Sequence, residues 1–541
     1  MNALIILLLS IVIFFIAYLV YGAYLAKKFD LDNKNLTAAH TLQDGVDYVP
    51  ADAKVLLGHH FSSIAGAGPI TGPILASIFG WIPVYLWIMV GCVFIGGVHD
   101  FGALLISVRQ GGKSVGEVIK RTIGDRGKLL FNIFAFATLI LVVSAFTDIC
   151  ASTFVYDAEN LTGARAGTAS VLFIFLAIAF GYFVYVNKYN LTISSIVGVI
   201  LLLLCIFIGY QFHFIHLSKA GWNIVLIVYI TLASILPVWI LLQPRDYLCS
   251  FLLYAMIAGA VIGIFVMRPS FELSGFTSFN VNGSTLFPFL FVTVACGAIS
   301  GFHSLVSSGT TSKQLNKEKD AKLVGYGAML IEGVVAVIAL ITVSYTARVE
   351  GASPAQIFSN GIANFMSSFG IPLEVGKVFV ILSYSAFALT SLDTATRIAR
   401  YIFQELCDSF GEQVKKTAGN MYVATIITVG LASMLLAYGY QKIWPIFGSS
   451  NQLLAALSLL AITAWLVRKK KNSLFIIIPM VFMFVVTLTS LALLVRNYLF
   501  SETKNILLGV FAIVLFVLAI VLIIEAVNSL TKKDLTLSKN V

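Results

Sequence analysis

The sequence predicts an all-α integral membrane protein with about fifteen transmembrane helices. Of its 541 residues, 59% are hydrophobic and only 11% are charged, whereas a soluble chain carries roughly 25% charged residues. Apolar runs of about twenty residues, the length that a helix needs to cross a bilayer, recur from end to end. Helices are expected because lipid offers no partner for unpaired backbone groups, and the alternating pattern of a membrane barrel is absent.

The apolar runs divide into fifteen predicted spans, each near the length of one crossing. The first span directly follows Met1 and Asn2, without the basic start and cleavage site of a signal peptide, and is therefore kept as a span. The spans lie at residues 3–25, 55–79, 82–108, 129–154, 168–187, 191–212, 222–242, 248–267, 286–309, 322–347, 375–402, 420–438, 444–467, 473–495 and 505–527.

The basic residues predict the orientation of these spans. Loops after odd-numbered spans, together with the C-terminal tail, contain 27 of the 35 Lys and Arg residues. Because basic loops remain on the cytoplasmic side, we expect the N-terminus outside and the C-terminus inside a cytoplasmic membrane. The net charge of +10 is therefore assigned to topology and to contact with the lipid bilayer, and no nucleic acid partner is expected.

The loops and motifs argue against several classes of function. No connecting segment is large enough for a soluble catalytic domain, and no Walker loop, dinucleotide-binding GxGxxG or CxxC pair occurs. The six cysteines have no paired spacing and mostly lie in or beside apolar spans, which indicates packing residues rather than a disulfide framework. Neither an enzymatic activity nor a cofactor is expected, and any pumping must draw on an ion gradient.

The second span contains a segment that opposes a continuous helix. Gly and Pro disfavour helix interiors, so the segment predicts two half-helices joined by an unwound link near Gly66–Gly68, with Pro69 in the first turn of the second. The positive end of that half-helix can hold an anionic group at the membrane midplane. The alternative is a kinked helix with small residues at a packing contact. The candidate substrate-binding residues here are His59, His60, Ser62, Ser63, Gly66, Gly68 and Thr71.

The ninth span repeats this composition. Residues 295–304 read Ala-Cys-Gly-Ala-Ile-Ser-Gly-Phe-His-Ser, and they add Ser300, His303 and Ser304 to the candidate substrate-binding residues. The predicted orientation makes the second and ninth spans run in opposite directions, which is the sequence trace of an inverted repeat. Chance similarity between two segments of small residues is the alternative explanation.

The eleventh span contains four hydroxyl groups and a carboxylate within about two helical turns. One interpretation is an intrahelical ion pair between Asp393 and Arg397, which are four residues apart. The other is an oxygen-rich site for Na⁺, or a proton-carrying aspartate. The candidate ion-coupling residues of this span are Thr390, Ser391, Asp393 and Thr394.

Other ionisable residues fall at membrane depth. His99 and Asp100 in the third span and Glu332 in the tenth complete the candidate ion-coupling residues. Four of the seven histidines are intramembrane, which favours proton handling because His titrates near neutral pH, although a lone buried His is usually structural. Arg245, beside Asp246, is interpreted as a topological anchor rather than a gate.

Six segments of the sequence carry a recognisable pattern: GHHFSSIAGAGPITGP, GGVHDFGALLISVR, LPVWILLQPRDYL, TSKQL, LTSLDTATRIARYIFQE and FGSSNQLLAAL. Together they resemble the carbon starvation protein CstA family. The resemblance implies a cytoplasmic-membrane transporter induced on nutrient limitation, linked to uptake of peptides and, for close relatives, of pyruvate with protons. The family is similar to the amino acid–polyamine–organocation transporters, which implies a LeuT-like inverted-repeat core. We expect a peripheral helix at 1–30, the transporter core at 50–467, and peripheral helices with a cytoplasmic tail at 468–541.

The residue patterns predict a secondary transporter that imports a small carboxylate by alternating access between the two predicted breaks, and the family resemblance implies that this carboxylate is a short peptide or pyruvate. The coupling ion is expected to be H⁺ or Na⁺. One alternative is a transition-metal transporter that uses the intramembrane His and Asp side chains. Another is a membrane redox protein with haem-ligating histidines, although the adjacent His59 and His60 cannot both face one iron. No sequence feature indicates an oligomeric state.

Overall fold

The computed structural model describes residues 2–45, 48–237, 240–346, 351–501 and 504–532, and these residues are almost entirely helical. A small hairpin of strands β1 (Asn280–Val281) and β2 (Ser284–Thr285) interrupts them. The α-helices are α1 (Ala3–Lys28), α2 (Ala38–Thr41), α3 (Ala53–Ile64), α4 (Gly68–Ala76), α5 (Trp81–Gly91), α6 (Gly97–Arg109), α7 (Val115–Thr122), α8 (Asp125–Thr153), α9 (Thr162–Gly181), α10 (Leu191–Gln211), α11 (Lys219–Ile235), α12 (Leu242–Met267), α13 (Leu286–Val294), α14 (Gly301–Gly309), α15 (Ala328–Thr346), α16 (Pro354–Ser367), α17 (Leu373–Asp408), α18 (Glu412–Thr417), α19 (Met421–Leu435), α20 (Tyr440–Arg468), α21 (Leu474–Phe500) and α22 (Ile506–Lys532).

The helices match the predicted membrane spans. In the described residues, thirteen helical segments are long and apolar enough to cross a membrane, and the bent pair α3–α4 makes a fourteenth. Helix α11 corresponds to the remaining predicted span, but its 17 residues extend only about 25 Å, less than a hydrocarbon core of about 30 Å. The prediction of an all-α, multi-pass membrane protein is confirmed.

The seventh predicted span, 222–242, differs most from the structure. Helix α11 ends at Ile235, and Leu236 adopts an extended backbone because the following Pro237 disfavours helical geometry at the preceding residue. Residues 242–246, placed by the sequence at the mouth of that span, instead form the first turns of α12. This shift carries Arg245 and Asp246 into the protein interior.

Both polar spans are discontinuous. Helices α3 and α4 meet at a 45° bend, and α13 is separated from α14 by a 3₁₀ turn and an extended Ser300. The two broken helices lie side by side in opposite directions, since Gly72 packs on the carbonyl of Val294 while His60 hydrogen-bonds Thr311. The discontinuous-helix prediction is confirmed, and this antiparallel pair is the arrangement that an inverted repeat places at its centre.

Two groups of helices surround the breaks. One group consists of α8, α11, α17 and α19, which all pack on one another, and the other of α4, α6, α13, α14 and α15. Helix α3 lies between them, with α12 and α17 on one side and α14 and α15 on the other. A shift of α3 therefore changes contacts with both groups at once.

A carboxylate ties three segments together on the predicted cytoplasmic side. Glu318 accepts hydrogen bonds from Arg109 Nε at 2.6 Å and Nη2 at 2.9 Å, at the end of α6. The same side chain accepts hydrogen bonds from the backbone N–H of Asp32 at 2.8 Å and from the Asn35 amide at 3.2 Å. We call these residues the Glu318 staple. Burial alone would raise the pKa of the Glu318 carboxyl, but the hydrogen bonds from Arg109 and the other donors hold this pKa below its ordinary value of 4.5.

Candidate functional site

The break in the first polar span is closed by a side chain of α17. Ser391 Oγ donates to the carbonyl of Ser63 at 3.1 Å, in the last turn of α3, and so satisfies a group that the broken helix leaves without an intrahelical partner. Gly66 is required at this point, because a Cβ there would lie 2.5 Å from the Ser391 hydroxyl and 3.1 Å from the Phe146 ring. Helices α3 and α17 therefore pack closely against each other at the break.

The second half-helix, α4, begins at a buried position beside the break of the other span. Its N-cap residue, Ala67, provides no capping side chain, and Gly68 lies against Cys296 in the break of the other span. Thr71, in the first turns of α4, hydrogen-bonds the hydroxyl of Tyr384 at 2.8 Å. The positive end of a helix dipole thus points into the region between the two breaks.

Four ionisable side chains from α6, α14 and α15 form a buried series. His99 Nδ1 lies 2.7 Å from Asp100 Oδ1, and His303 Nδ1 lies 2.9 Å from Asp100 Oδ2. On its other side, His303 Nε2 lies 3.5 Å from Glu332 Oε2. All four side chains have no solvent exposure. The structure thus brings together four predicted residues from three separate spans, and we call them the His303 series.

His60 faces the same side of α3 as the His303 series. Its Nδ1 lies 2.9 Å from Thr311 Oγ1, just beyond α14, and its Nε2 has no hydrogen-bond partner. His59, the next residue, faces α12 instead, where its Nδ1 lies 3.8 Å from Asp246 Oδ2. Adjacent residues are about 100° apart around a helix, so the two histidines serve different clusters.

Asp393 pairs with a residue that the sequence placed elsewhere. Arg245 Nη1 contacts Asp393 Oδ2, and Tyr229 donates to the same oxygen at 2.7 Å. Arg397 does not take part, since it donates to the carbonyls of Ala233 and Leu236 at 2.7 and 2.6 Å. The Asp393–Arg397 interpretation is wrong, and so is the anchor interpretation of Arg245, whose side chain is 1% exposed. The Thr390 and Thr394 hydroxyls have no hydrogen-bond partner.

The remaining candidate hydroxyls are held locally. Ser62 and Ser63 donate to the carbonyls of Gly58 and His59, one turn earlier in α3. Ser304 donates to the carbonyl of Gly301 and lies 2.8 Å from the Ser458 hydroxyl. These hydroxyls do not point into an open space in this conformation.

Two cavities lie on opposite sides of the breaks. On the predicted outer side, a cavity of about 720 Å³ is lined by Ser152, Asp157, Gln356, Glu374, Lys377 and Ile381. On the predicted cytoplasmic side, one of about 870 Å³ is lined by Lys113, Leu305, Ser308, Glu405, Asp408 and Lys415. Residues 60–74 and 294–308, which contain both breaks, are all buried between them. In this conformation the helix breaks are therefore shielded from solvent, and one cavity lies on the predicted outer side and one on the predicted cytoplasmic side.

The metal interpretation finds no matching geometry. Within the part of the chain that the structure describes, no three His, Cys, Asp or Glu side chains converge on a point that suits a metal ion. The members of the His303 series follow one another in line, each contacting its neighbour. This arrangement suits hydrogen bonding and proton exchange rather than coordination of a common centre.

Comparison with known protein families identifies the chain. The model of the family described as carbon starvation protein CstA matches residues 2–352 and 344–490. This chain belongs to the CstA family. The resemblance of its sequence motifs is thereby confirmed, and the protein is a CstA-family secondary transporter of the multi-pass membrane class.

Three named bacterial transporters are similar along most of the chain. The peptide transporter CstA of Bacillus subtilis (strain 168) is 34% identical over 98% of this chain and 97% of its own. Two proteins of Escherichia coli (strain K12) are each 33% identical: peptide transporter CstA, over 90% of this chain and 80% of its own, and pyruvate/proton symporter BtsT, over 91% and 81%.

Solved structures of other transporters are also similar in outline. A manganese transporter of Eremococcus coleocola has a TM-score of 0.49 at 11% identity, covering 91% of this chain and 99% of that one. MhsT in complex with L-phenylalanine has a TM-score of 0.47 at 12% identity, covering 89% and 99%.

Sequence reasoning missed several residues of the site in this CstA-family protein. Asn451 of α20 accepts from the Phe302 N–H at 2.9 Å and donates to Ser300 Oγ at 3.0 Å, so it caps α14. The sequence signal for Asn451 was the polar Gly-Ser-Ser-Asn-Gln run within an apolar span. This run served only as one of the motifs of the family resemblance. Tyr229 and Tyr384 carried no local signal of comparable strength, whereas Arg245 was noticed in the sequence but interpreted as an anchor.

Proposed function

We propose that this CstA-family transporter imports a small carboxylate nutrient, a short peptide or pyruvate, together with protons across the cytoplasmic membrane. The observation that carries the proposal is the His303 series, a fully buried set of titratable groups beside the junction of two broken helices. Ionisable side chains at membrane depth mark substrate and ion pathways. The N-terminus would lie outside and the C-terminus in the cytoplasm, as the basic loops predict.

The substrate carboxylate is placed at the start of α4. The N-terminal end of α4 has no capping side chain and would offer the Gly68 N–H and the positive end of the helix dipole. Peptides and pyruvate, the substrates named for the similar transporters, both carry a carboxylate. The close packing of α3 on α17 at Gly66, and the contact that caps α14 at Ser300, would have to open for the substrate to enter.

Alternating access is supported by the two cavities. Ile381 lines the outer cavity three residues before Tyr384, which hydrogen-bonds Thr71. Ser308 lines the cytoplasmic cavity five residues after His303, about 7.5 Å along the helix. The outer cavity therefore reaches to within about one helical turn of the Tyr384 side of the proposed substrate site, and the cytoplasmic cavity to within about two turns of the His303 series, from opposite sides.

Proton coupling is favoured over sodium coupling by the pairing of Asp393. A sodium site requires several oxygen ligands with negative charge, and the guanidinium of Arg245 already supplies a cation to the one carboxylate among the α17 hydroxyls. We assign the coupling proton to the His303 series, where each His contacts an acid, with His60 beside it. Thr390 and Thr394 mark where Na⁺ would bind in the alternative.

Reconstituted protein tests the proposal. In proteoliposomes with an acidic exterior, labelled pyruvate or a labelled dipeptide is expected to accumulate without sodium and to leak out when a protonophore is added. Glu332→Gln is expected to lose this accumulation but to retain exchange of internal for external substrate, which needs no net proton movement. Glu525→Gln, which changes a peripheral carboxyl of α22, is the matched control and should behave as the native protein.

Three results would speak against it. Accumulation of neither substrate under a proton or a sodium gradient would refute import of these carboxylates. Accumulation that follows sodium alone would move the coupling site to Thr390 and Thr394. Full gradient-driven accumulation by Glu332→Gln would remove the His303 series from the mechanism.

A further inference from the structure

We propose that Asp246 and His59 form a second proton-binding site, on the side of α3 that faces away from the His303 series. The inference rests on the proposed proton-coupled function and extends it to two protons per substrate. Asp246 lies in the first turns of α12 and His59 in the middle of α3, so the site bridges the broken helix to its neighbour.

The Asp246 carboxyl is fully buried and lacks a fixed partner. Its side chain has no solvent exposure, and neither carboxyl oxygen makes a well-formed hydrogen bond, although the Thr390 hydroxyl faces the carboxyl. A buried carboxylate without such partners is strongly disfavoured unless it binds a proton or a mobile cation. The surroundings of Asp246 therefore suit reversible binding of a proton or a mobile cation better than a permanent ion pair.

The cations near Asp246 are committed to other groups. Arg245 of α12 contacts Asp393, and its Nη1 also donates to Tyr229 of α11 at 2.8 Å. Arg397 of α17 donates to two backbone carbonyls. The other groups facing Asp246 are Asp393 and Thr390 on α17, Cys249 on α12 and His59 on α3. Of these, His59 carries a neutral imidazole, which can accept a proton and so become a cation.

His59 is also the most accessible intramembrane histidine. Its side chain is 16% exposed, whereas those of His99 and His303 are not exposed. It lies six residues after Ala53, the first residue of α3, which is about 9 Å from the predicted cytoplasmic end. We assign proton release toward the cytoplasm to this histidine.

The proposed step conserves charge and atoms. The proton of the Asp246 carboxylic acid passes to Nδ1 of neutral His59 and leaves a carboxylate beside an imidazolium. The present separation of 3.8 Å is about 1 Å longer than a hydrogen bond of this kind, so transfer requires a small approach of α3 to α12. That approach couples the proton to the broken helix that also carries Gly66 and Gly68.

Measurement of the proton number tests the site. With the membrane potential clamped at zero, each coupled proton increases the accumulation ratio about tenfold per unit of pH difference. The native protein is expected to reach about a hundredfold per unit, and Asp246→Asn and His59→Gln about tenfold, with substrate exchange retained. Glu525→Gln should match the native protein.

The outcomes separate this inference from the proposed function. A native proton number in both variants overturns the second site and leaves the proposed function standing. If Asp246→Asn abolishes exchange as well, His59→Gln decides: loss of one proton supports the site, and an unchanged number overturns it. Failure of the native protein to accumulate substrate under any proton gradient overturns the proposed function, and this inference with it.

Discussion

Removal of the Asp393 carboxylate tests whether Arg245 is held by charge pairing. In Asp393→Asn the guanidinium keeps only the Tyr229 hydroxyl at 2.8 Å and a weak bond to the Ala386 carbonyl at 3.4 Å. Both partners of the pair are essentially unexposed, and deletion of one partner of such a buried pair costs about 3–5 kcal/mol. Arg245→Gln should cost a similar amount, because it leaves Asp393 as an unpaired anion.

The double variant supplies the decisive comparison. Replacing both charges removes the unpaired ion, so Asp393→Asn with Arg245→Gln is expected to be more stable than either single variant. The coupling free energy between the two sites should exceed about 1 kcal/mol. At roughly 2.1 cal/mol/K of unfolding entropy per residue, a loss of 3–5 kcal/mol lowers the unfolding midpoint by roughly 3–4 °C for a chain of this length.

The buried cysteines provide the assay. Five of the six free cysteines are buried and the sixth, Cys205, is partly buried, so a thiol-reactive fluorophore reports unfolding of the detergent-solubilised protein. Substrate exchange at 25 °C separates misfolding from loss of function. Single variants as stable as the native protein, or strictly additive effects in the double variant, would refute the charge-pair account.

Three further predictions concern the break, the cap and the staple. Gly66→Ala should destabilise by about 1–3 kcal/mol and abolish exchange, because its Cβ meets the Ser391 hydroxyl, whereas Gly430→Ala, with open space around it, should do neither in the same two assays. Asn451→Ala should lower stability by about 1–2 kcal/mol through loss of the α14 cap, and an unchanged unfolding midpoint would contradict that role. The pKa of Glu318 is lowered in the folded state. The stability that its pairing with Arg109 contributes is therefore complete above about pH 4.5 and is lost as the pH falls through the lower folded pKa. When the unfolding midpoint is measured from pH 7 to pH 3.5, it should fall less for Glu318→Gln than for the native protein.

The fold was predictable because membranes impose a simple rule on sequence. Long apolar runs identify the helices, and Gly and Pro within such runs identify both breaks, since they weaken the helix locally. The rule fails at helix α11. The apolar pattern continues past Pro237 and so predicted a span to residue 242, whereas the proline ends the helix before that point.

The site was predictable only where its signal is local. His99, Asp100, His303 and Glu332 each stand out as ionisable residues in apolar spans, so their selection needed no contacts. The partner of Asp393 lies 148 residues away along the chain, and the four-residue spacing to Arg397 suggested a nearer one. Side-chain spacing within a helix describes neighbours on its surface, whereas a buried carboxylate selects its partner from the helices packed against it.

The Glu318 staple restricts how this transporter can change shape. It links the end of α6 to residues 32–35 and to the segment after α14, so we expect these three segments to move together. We expect relative movement elsewhere, where α3 and α4 contact α12 and α17 through pairs such as Ser63 with Ser391, Thr71 with Tyr384 and His59 with Asp246. Spin labels on the two sides of the staple should keep a constant separation through the cycle, while labels across the α3–α17 seam should show two distance populations.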